Sequence, residues 1–231
     1  MVLKQQELKH GSLSLKYAEG RNSNKALKYR LGRRTLEVKN AIKKFLTGEP
    51  KTIIDLGTAD GKMLNELKLT YPNSECIGIE YDEQLVDYAK ELFPELIIKQ
   101  GDIQNLNEIK SDKFDVAIAA AVIEHVINPQ IFVEEVERIL KPNGILVLTA
   151  PDPVWEFIAT KIGHLEEEQH NEVPNIKRIV EIMNTAKLEV LETKKFMLSP
   201  IGMPFEISIE NFFRKLNMGF LMANQLVVAK K

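Results

Sequence analysis

Asp55, Gly57, Gly61 and Glu80 are the residues whose types and spacing could do chemistry together. Asp55 sits in an apolar, β-branched run, Thr52-Ile53-Ile54-Asp55-Leu56, and Gly57-Thr58-Ala59-Asp60-Gly61 follows it. A strand that leads through a carboxylate into a glycine turn and then a helix builds the ligand-binding edge of an open α/β sheet. Glycines there permit tight turning and a close approach of backbone to ligand. A dinucleotide fingerprint would need G-x-G-x-x-G with pyrophosphate at the helix N-terminus. This loop reads G-x-x-x-G, and a carboxylate two residues before the first glycine would repel pyrophosphate. No Gly-Lys-Ser/Thr follows, so a P-loop is excluded too. The loop suits a ligand with an ammonium group and no phosphate. Glu80 closes the next apolar segment, 19 residues after Gly61. Either carboxylate alone could merely cap or solvate a turn.

Positioning those residues requires alternating strands and helices, and the pattern supplies them. Apolar runs predict strands over 52–56, 76–79, 96–98, 114–120 and 145–149. Between them, Asp60 is expected to cap a helix carrying Met63, Leu64 and Leu67, and Asp82 one carrying Leu85, Val86 and Ala89. Asn128-Pro129 opens a helix with Phe132, Val133, Val136 and Leu140, ended by Pro142 and Gly144. Ahead of the first strand, Val38, Ala41, Ile42 and Phe45 form a helical stripe that Gly48 and Pro50 stop. The pattern changes after Thr149: residues 151–174 read as irregular or partly helical, 175–186 as a helix, 188–198 as strand-like, 208–216 as amphipathic and 226–229 as a last buried strand. Strand–helix alternation implies right-handed crossovers. The expected fold is α/β, a doubly wound, mostly parallel sheet, with a helical segment over 1–50, a ligand-binding core over 51–150 and substrate-side segments and last strands over 151–231. No linker divides it, so 1–231 is expected to be one domain.

Composition narrows the partners. With 231 residues, 44% hydrophobic, 28% charged and a net charge of −2, the chain is neither a polybasic nucleic-acid binder nor a disordered one. One cysteine, Cys76, excludes an internal disulfide and a cysteine-rich metal site. The longest uncharged apolar run, 116–123, is too short to span a bilayer, and residues 1–10 lack a signal-peptide core. The expected location is cytoplasmic. Residues 1–51 hold 13 Lys and Arg against 4 acids, while the remainder holds 18 against 29. The basic segment is either an arm for an anionic substrate, RNA or membrane surface, or a solvated face opposite an acidic body.

Asp55-x-Gly57-x-x-x-Gly61 resembles the first motif of the class I S-adenosylmethionine-dependent methyltransferases. Later segments match in order: Gly78-Ile79-Glu80-Tyr81-Asp82, Gly101-Asp102-Ile103, Phe114-Asp115, Ile123-Glu124-His125-Val126 and Leu140-Lys141-Pro142-Asn143-Gly144. The resemblance covers 53–149. It implies a seven-stranded sheet of Rossmann-like methyltransferase type and S-adenosylmethionine as cofactor. Asp55, Gly57, Thr58, Gly61, Glu80, Tyr81, Asp102, Ile103 and Ala119 are then the cofactor-binding residues. Glu80 binds both ribose hydroxyls, and Tyr81, Asp102 and Ile103 lie near adenine.

Methyl transfer from a sulfonium is an in-line displacement, so the protein supplies orientation and a dry pocket. A hydroxyl, amine or thiol acceptor can require a general base. By the resemblance His125 lies where methyl group and acceptor meet, either as base or as an orienting group. Trp155, His164 and His170 are candidates for the acceptor side, with Trp155 either a pocket wall or a core residue. A metal is not expected. The related ubiquinone-biosynthesis O-methyltransferases carry Glu-x-x-Glu-His after the fourth strand, and Ala121-Val122-Ile123-Glu124-His125 lacks the first carboxylate; turnover in excess EDTA is the check. Where enzymes acting on base amines carry Asn/Asp-Pro-Pro-Tyr/Phe, this chain reads Ala119-Ala120-Ala121-Val122. The expected acceptor is a small molecule methylated at oxygen or nitrogen, and a nucleic-acid partner is disfavoured. The rivals are an RNA or protein methyltransferase using the basic segment, and a cofactor-binding interaction module without catalysis. Residues 20–35 are expected to fold over cofactor or acceptor, with Arg33 or Arg34 near an anionic group. Phe157, Met197, Met203, Phe205, Phe212, Phe213 and Met218 would build either an apolar cap over the substrate or a covering layer of the core.

Overall fold

The computed structural model describes residues 15–161 and 173–231. Seven strands, β1 (Thr52–Leu56), β2 (Glu75–Glu80), β3 (Ile97–Gln100), β4 (Phe114–Ala120), β5 (Leu140–Pro151), β6 (Glu189–Phe196) and β7 (Asn224–Lys230), form one sheet. Their order is β3-β2-β1-β4-β5-β7-β6, with β1 to β5 parallel and β7 antiparallel to both of its neighbours. The chain reverses its strand order at β1 and β4, so a crevice opens beyond their carboxyl ends.

Strand periodicity decides what faces the crevice and what faces the core. Ile54 and Leu56 point to the layer holding α5 (Pro129–Ile139) and α7 (Ile176–Thr185), where Phe132, Val136, Ile179 and Met183 bury against them. Ile53 points to the other layer, made by α2 (Lys25–Phe45), α3 (Lys62–Thr70) and α4 (Glu83–Leu92) through Val38, Ile42, Leu64, Leu67 and Val86. β4 is covered on both faces, as its unbroken apolar run requires.

Four elements differ from the sequence reading, each for a local reason. Asp60 does not cap α3. Gly61 takes the N-cap place in a left-handed conformation without a side-chain bond, while the Asp60 carboxylate accepts from Arg21 and Lys62 at 2.8 Å each. α5 stops at Ile139, short of Pro142, because Leu140 already pairs with Phe114; β5 then carries a register shift where Gly144 lies against the Phe114 carbonyl. β3 runs one residue later and further, since its pairing follows β2 out to Glu80 and Gln100. The helical stripe ending at Phe45 is the second half of a 21-residue helix that begins behind an Asn24 cap and is preceded by α1 (Leu15–Ser23).

The region after β5 holds α6 (Pro153–Lys161), α7, β6, α8 (Glu206–Lys215) and a 3-10 turn, η1 (Gly219–Leu221). Among the described residues no helix is long and apolar enough to cross a membrane. His164 and His170 lie outside the described residues.

Candidate functional site

The loop between β1 and α3 is built around two buried carboxylates on adjacent strand ends. The Asp55 carboxylate accepts from the Thr58 hydroxyl at 2.8 Å, and burial pushes its carboxyl up to about 7 against that bond's pull, with the nearby Glu80 charge adding to the push. Glu80 closes β2. Its Oε2 accepts from the Ala59 N–H at 2.8 Å, and its Oε1 from the Tyr81 and Asp82 N–H groups at 2.8 and 3.1 Å. Burial raises the Glu80 carboxyl above the ordinary carboxylate range; the N–H groups of Asp82, Ala59 and Tyr81 oppose that rise. The loop backbone is also tied directly to β2, with the N–H groups of Gly57 and Thr58 donating to the Ile79 carbonyl at 2.8 and 3.0 Å.

Gly57 is required twice over. Its φ of +76° is left-handed, and a Cβ added there would lie 2.5 Å from Val122 Cγ2 in the turn after β4. That contact narrows the crevice between the glycine loop and the β4 turn. Gly57→Ala is expected to destabilise the fold by about 1–3 kcal/mol and to weaken cofactor binding about tenfold or more. Val122→Ala in the same chain should recover part of both losses, because it removes the clash but not the backbone strain. Thermal denaturation and calorimetry on the single and double variants are the check; no recovery would show that the loop conformation alone sets the cost.

The remaining described residues named from sequence are brought to the same edge, with differences in depth. Tyr81 is half exposed beside Glu80. The Asp102 carboxylate accepts from the Gln104 N–H at 2.8 Å, holding the turn after β3, whose Gly101 N–H donates to the Glu80 carbonyl. Ile103 and Ala119 belong to the core layer below, with Ala119 wholly buried. β4 alternation points the Ala119 methyl into the α5 layer, and Ala120 and Ala121 follow it at the rim, the latter left-handed. His125 is half buried in the turn after β4, its N–H donating to the Val122 carbonyl at 2.9 Å, next to the buried Glu124. Trp155 is on α6 at the same edge, and its indole N–H donates to the Phe220 carbonyl at 2.9 Å. Among the described residues no three His, Cys, Asp or Glu side chains cluster as a metal site.

The N-terminal helices close the site differently from the sequence reading. α1 lies over the loop: Ala18 packs with Ala59 and Leu85, and Arg21 pairs with Asp60. Arg33 and Arg34 meet the protein itself. Arg33 donates through Nη2 to both oxygens of the buried Glu210 carboxylate at 3.0 and 2.9 Å, and Arg34 donates twice to Asn224 Oδ1. Nothing local in the sequence marks Arg21, 39 residues from its partner.

S-adenosylmethionine presents an ammonium group and a ribose with two hydroxyls, and the donor and acceptor set fits it. Two acceptor carboxylates stand on neighbouring strand ends, and the glycine loop between them leaves no room for a Cβ. Residues 48–198 match the family described as a methyltransferase domain. The chain is 26% identical over 202 residues to 235L of Invertebrate iridescent virus 6, whose designation as a methyltransferase is provisional; the match covers 84% of this chain and 74% of that protein. It is 24% identical to malonyl-[acyl-carrier protein] O-methyltransferase of Halalkalibacterium halodurans, over 72% of this chain and 65% of that one. It is 29% identical to the protein-lysine N-methyltransferase EFM4 of Saccharomyces cerevisiae, over 46% of this chain and 53% of that one. The last two matches thus span about half to two thirds of those proteins. In three dimensions it resembles the methyltransferase, provisionally so designated, in complex with the Haloferax volcanii activator Trm112, at a TM-score of 0.69 and 18% identity, over 95% and 99% of the two chains. With a family match over most of its length and the fold that family requires, the chain belongs to the class I S-adenosylmethionine-dependent methyltransferases.

Proposed function

We propose that the chain methylates a small-molecule acceptor at oxygen or nitrogen. The observation that carries this reading is the cover at the carboxyl edge of β5. α6 follows that strand directly, η1 precedes β7, and the Trp155–Phe220 hydrogen bond ties the two together beside the crevice. Such a cover encloses a small acceptor and excludes water, which displacement at a sulfonium needs. Two arginines of the basic segment, Arg33 and Arg34, are spent internally on Glu210 and Asn224 rather than offered to an RNA. The malonyl-[acyl-carrier protein] O-methyltransferase relative supports a carboxylate-oxygen acceptor among the options.

In this reading S-adenosylmethionine supplies the activated methyl group when bound. Glu80 accepts the ribose hydroxyls, Asp55 faces the ammonium end, and Gly57, Thr58 and Gly61 shape the loop between them. Tyr81, Asp102 and Ile103 border the base. The small Ala120 and Ala121 at the end of β4 leave room for the transferred group, Trp155 walls the acceptor side, and His125 takes the acceptor's proton where one must leave.

Radiolabelled methyl transfer separates the readings. With labelled S-adenosylmethionine and a small-molecule-containing cell extract, label is expected in an acid-soluble product that chromatography separates from S-adenosylmethionine. Label confined to acid-precipitable material that protease or ribonuclease releases would overturn the small-molecule reading in favour of a protein or RNA acceptor. S-adenosylmethionine and its demethylated product should raise the melting temperature, and NAD should not.

A further inference from the structure

We infer that the face formed by α6, α8 and η1 docks on an anionic lipid surface, whichever acceptor the enzyme methylates. Among the described residues, ten of the seventeen exposed large apolar side chains fall between Val154 and Phe220. They are joined: Trp155 bonds the Phe220 carbonyl, and α8 packs against η1. A core-covering layer would bury them. Phe157 is 60% exposed, Phe205 83%, Phe212 59%, Leu216 53% and Phe220 63%.

α8 is turned inside out. Its carboxylates point inward: Glu210 accepts from Arg33 and the Met197 N–H, and Glu206 from the Ser199 N–H. Its outward side carries Phe205, Ile209, Phe212 and Leu216, spaced i, i+4, i+7 and i+11, which is one helical stripe. Phe205 also holds a left-handed backbone, φ +57°, which costs energy for a bulky residue and gains no burial. Strain that packing does not explain is retained for what the side chain does outside the fold.

The charge around the stripe selects the occupant. Both acids of α8 turn inward, so among the described residues its exposed charge is Lys215, while α6 carries the half-buried Glu156 and the exposed Lys161, whose Nζ lies 4.6 Å from the Phe157 ring centroid. Tyr29 packs against Gly202, which brings the start of α2, with Lys25 and Lys28 exposed, toward the loop before α8. Aromatic and aliphatic side chains flanked by exposed lysines match headgroup phosphates above acyl chains. A second copy of the chain fits poorly, because a two-fold contact through this face would set its lysines against one another.

Vesicle sedimentation with the full chain tests the inference. The protein is expected to sediment with phosphatidylcholine vesicles containing about one-third phosphatidylglycerol, and much less with phosphatidylcholine alone. Replacing Phe205→Ser and Phe212→Ser together should lower partitioning about tenfold or more on anionic vesicles. Lys215→Gln should lower it about fivefold there and leave binding to neutral vesicles unchanged. S-adenosylmethionine affinity should be unaltered in every variant, which shows that they are folded and separates this result from any failure of the proposed acceptor class. No sedimentation of the parent chain, or equal sedimentation of the phenylalanine variant, would overturn the inference. So would a concentration-dependent dimer in centrifugation that the phenylalanine variant abolishes, since the occupant would then be a second copy.

Discussion

Asp55→Asn is expected to raise the heat stability of the ligand-free protein above pH 7 while removing most of its affinity for S-adenosylmethionine. Burial holds the folded carboxyl near 7, against an ordinary value of 3.8. The folded state therefore binds the proton more tightly than the unfolded chain does. The resulting stability is fully present below pH 4 and is lost as pH rises to about 7. Above that, an ionised Asp55 costs about 4 kcal/mol at roughly 1.4 kcal/mol per unit. The amide has no such titration, so the melting temperatures of the two proteins should diverge between about pH 4 and 7, the variant melting higher at pH 8. Binding runs the other way. A carboxylate facing an ammonium group must be ionised, so parental affinity should climb about tenfold per pH unit below 7 and flatten above it. The variant should show no such slope and should bind some ten to a hundred times more weakly at pH 8. Paired calorimetry and thermal scans across that range check both halves; a variant with parental affinity would remove Asp55 from the cofactor's contacts.

Glu80→Ala should lower S-adenosylmethionine affinity about a hundredfold, more than the loss of two hydroxyl contacts alone would give. Hydrogen bonds to a charged acceptor contribute roughly 1.5–3 kcal/mol. The same carboxylate also receives the Ala59 N–H from the facing loop, and Ala59 is buried. Removing the acceptor leaves that N–H unsatisfied, at a cost of about 1–3 kcal/mol, and lets the glycine loop relax from the strand it is pinned to. The melting temperature of the ligand-free protein should fall by only a few degrees, because the alanine also relieves the desolvation that raises the Glu80 carboxyl. Glu80→Gln, which keeps an acceptor for Ala59 but donates where Tyr81 and Asp82 also donate, should fall between the two. A parental dissociation constant for the alanine variant would reduce Glu80 to a turn anchor.

What the sequence made legible was whatever local periodicity and paired motifs determine. β1 and β4 were bounded to the residue, Asp82 and Asn128 cap the helices they were expected to cap, and the sheet has the seven strands that the family resemblance implied. Asp55, Glu80 and the two glycines lie together because the spacing that marks them is the spacing of a strand, a turn and a helix. Interactions between distant segments left no trace in any local window. The Arg21–Asp60 pair, the Arg33–Glu210 pair and the Gly57–Val122 contact join residues 39, 177 and 65 positions apart. Asp60 shows the confusion that follows: an aspartate before a helix reads as a cap, yet here a cationic partner from α1 takes its carboxylate. α8 misleads in another way, since its apolar stripe was legible but the direction it faces depends on where Glu206 and Glu210 find donors.

The placement of β7 between β5 and β6 bears on how the chain is made. β5 and β6 both leave the ribosome earlier than β7, which pairs with β5 over Ile145–Pro151 and with β6 from Glu189 to Phe196. Until Asn224–Lys230 arrives, β5 presents an open edge and β6 has no strand neighbour at all. Two unpaired, adhesive backbones thus coexist during synthesis while the cofactor half of the sheet, β1 to β5, can already assemble. A nascent chain stalled before Asn224 would hold a nearly complete S-adenosylmethionine crevice on a scaffold prone to clump, making release of the last strand the step at which a chaperone has most to protect.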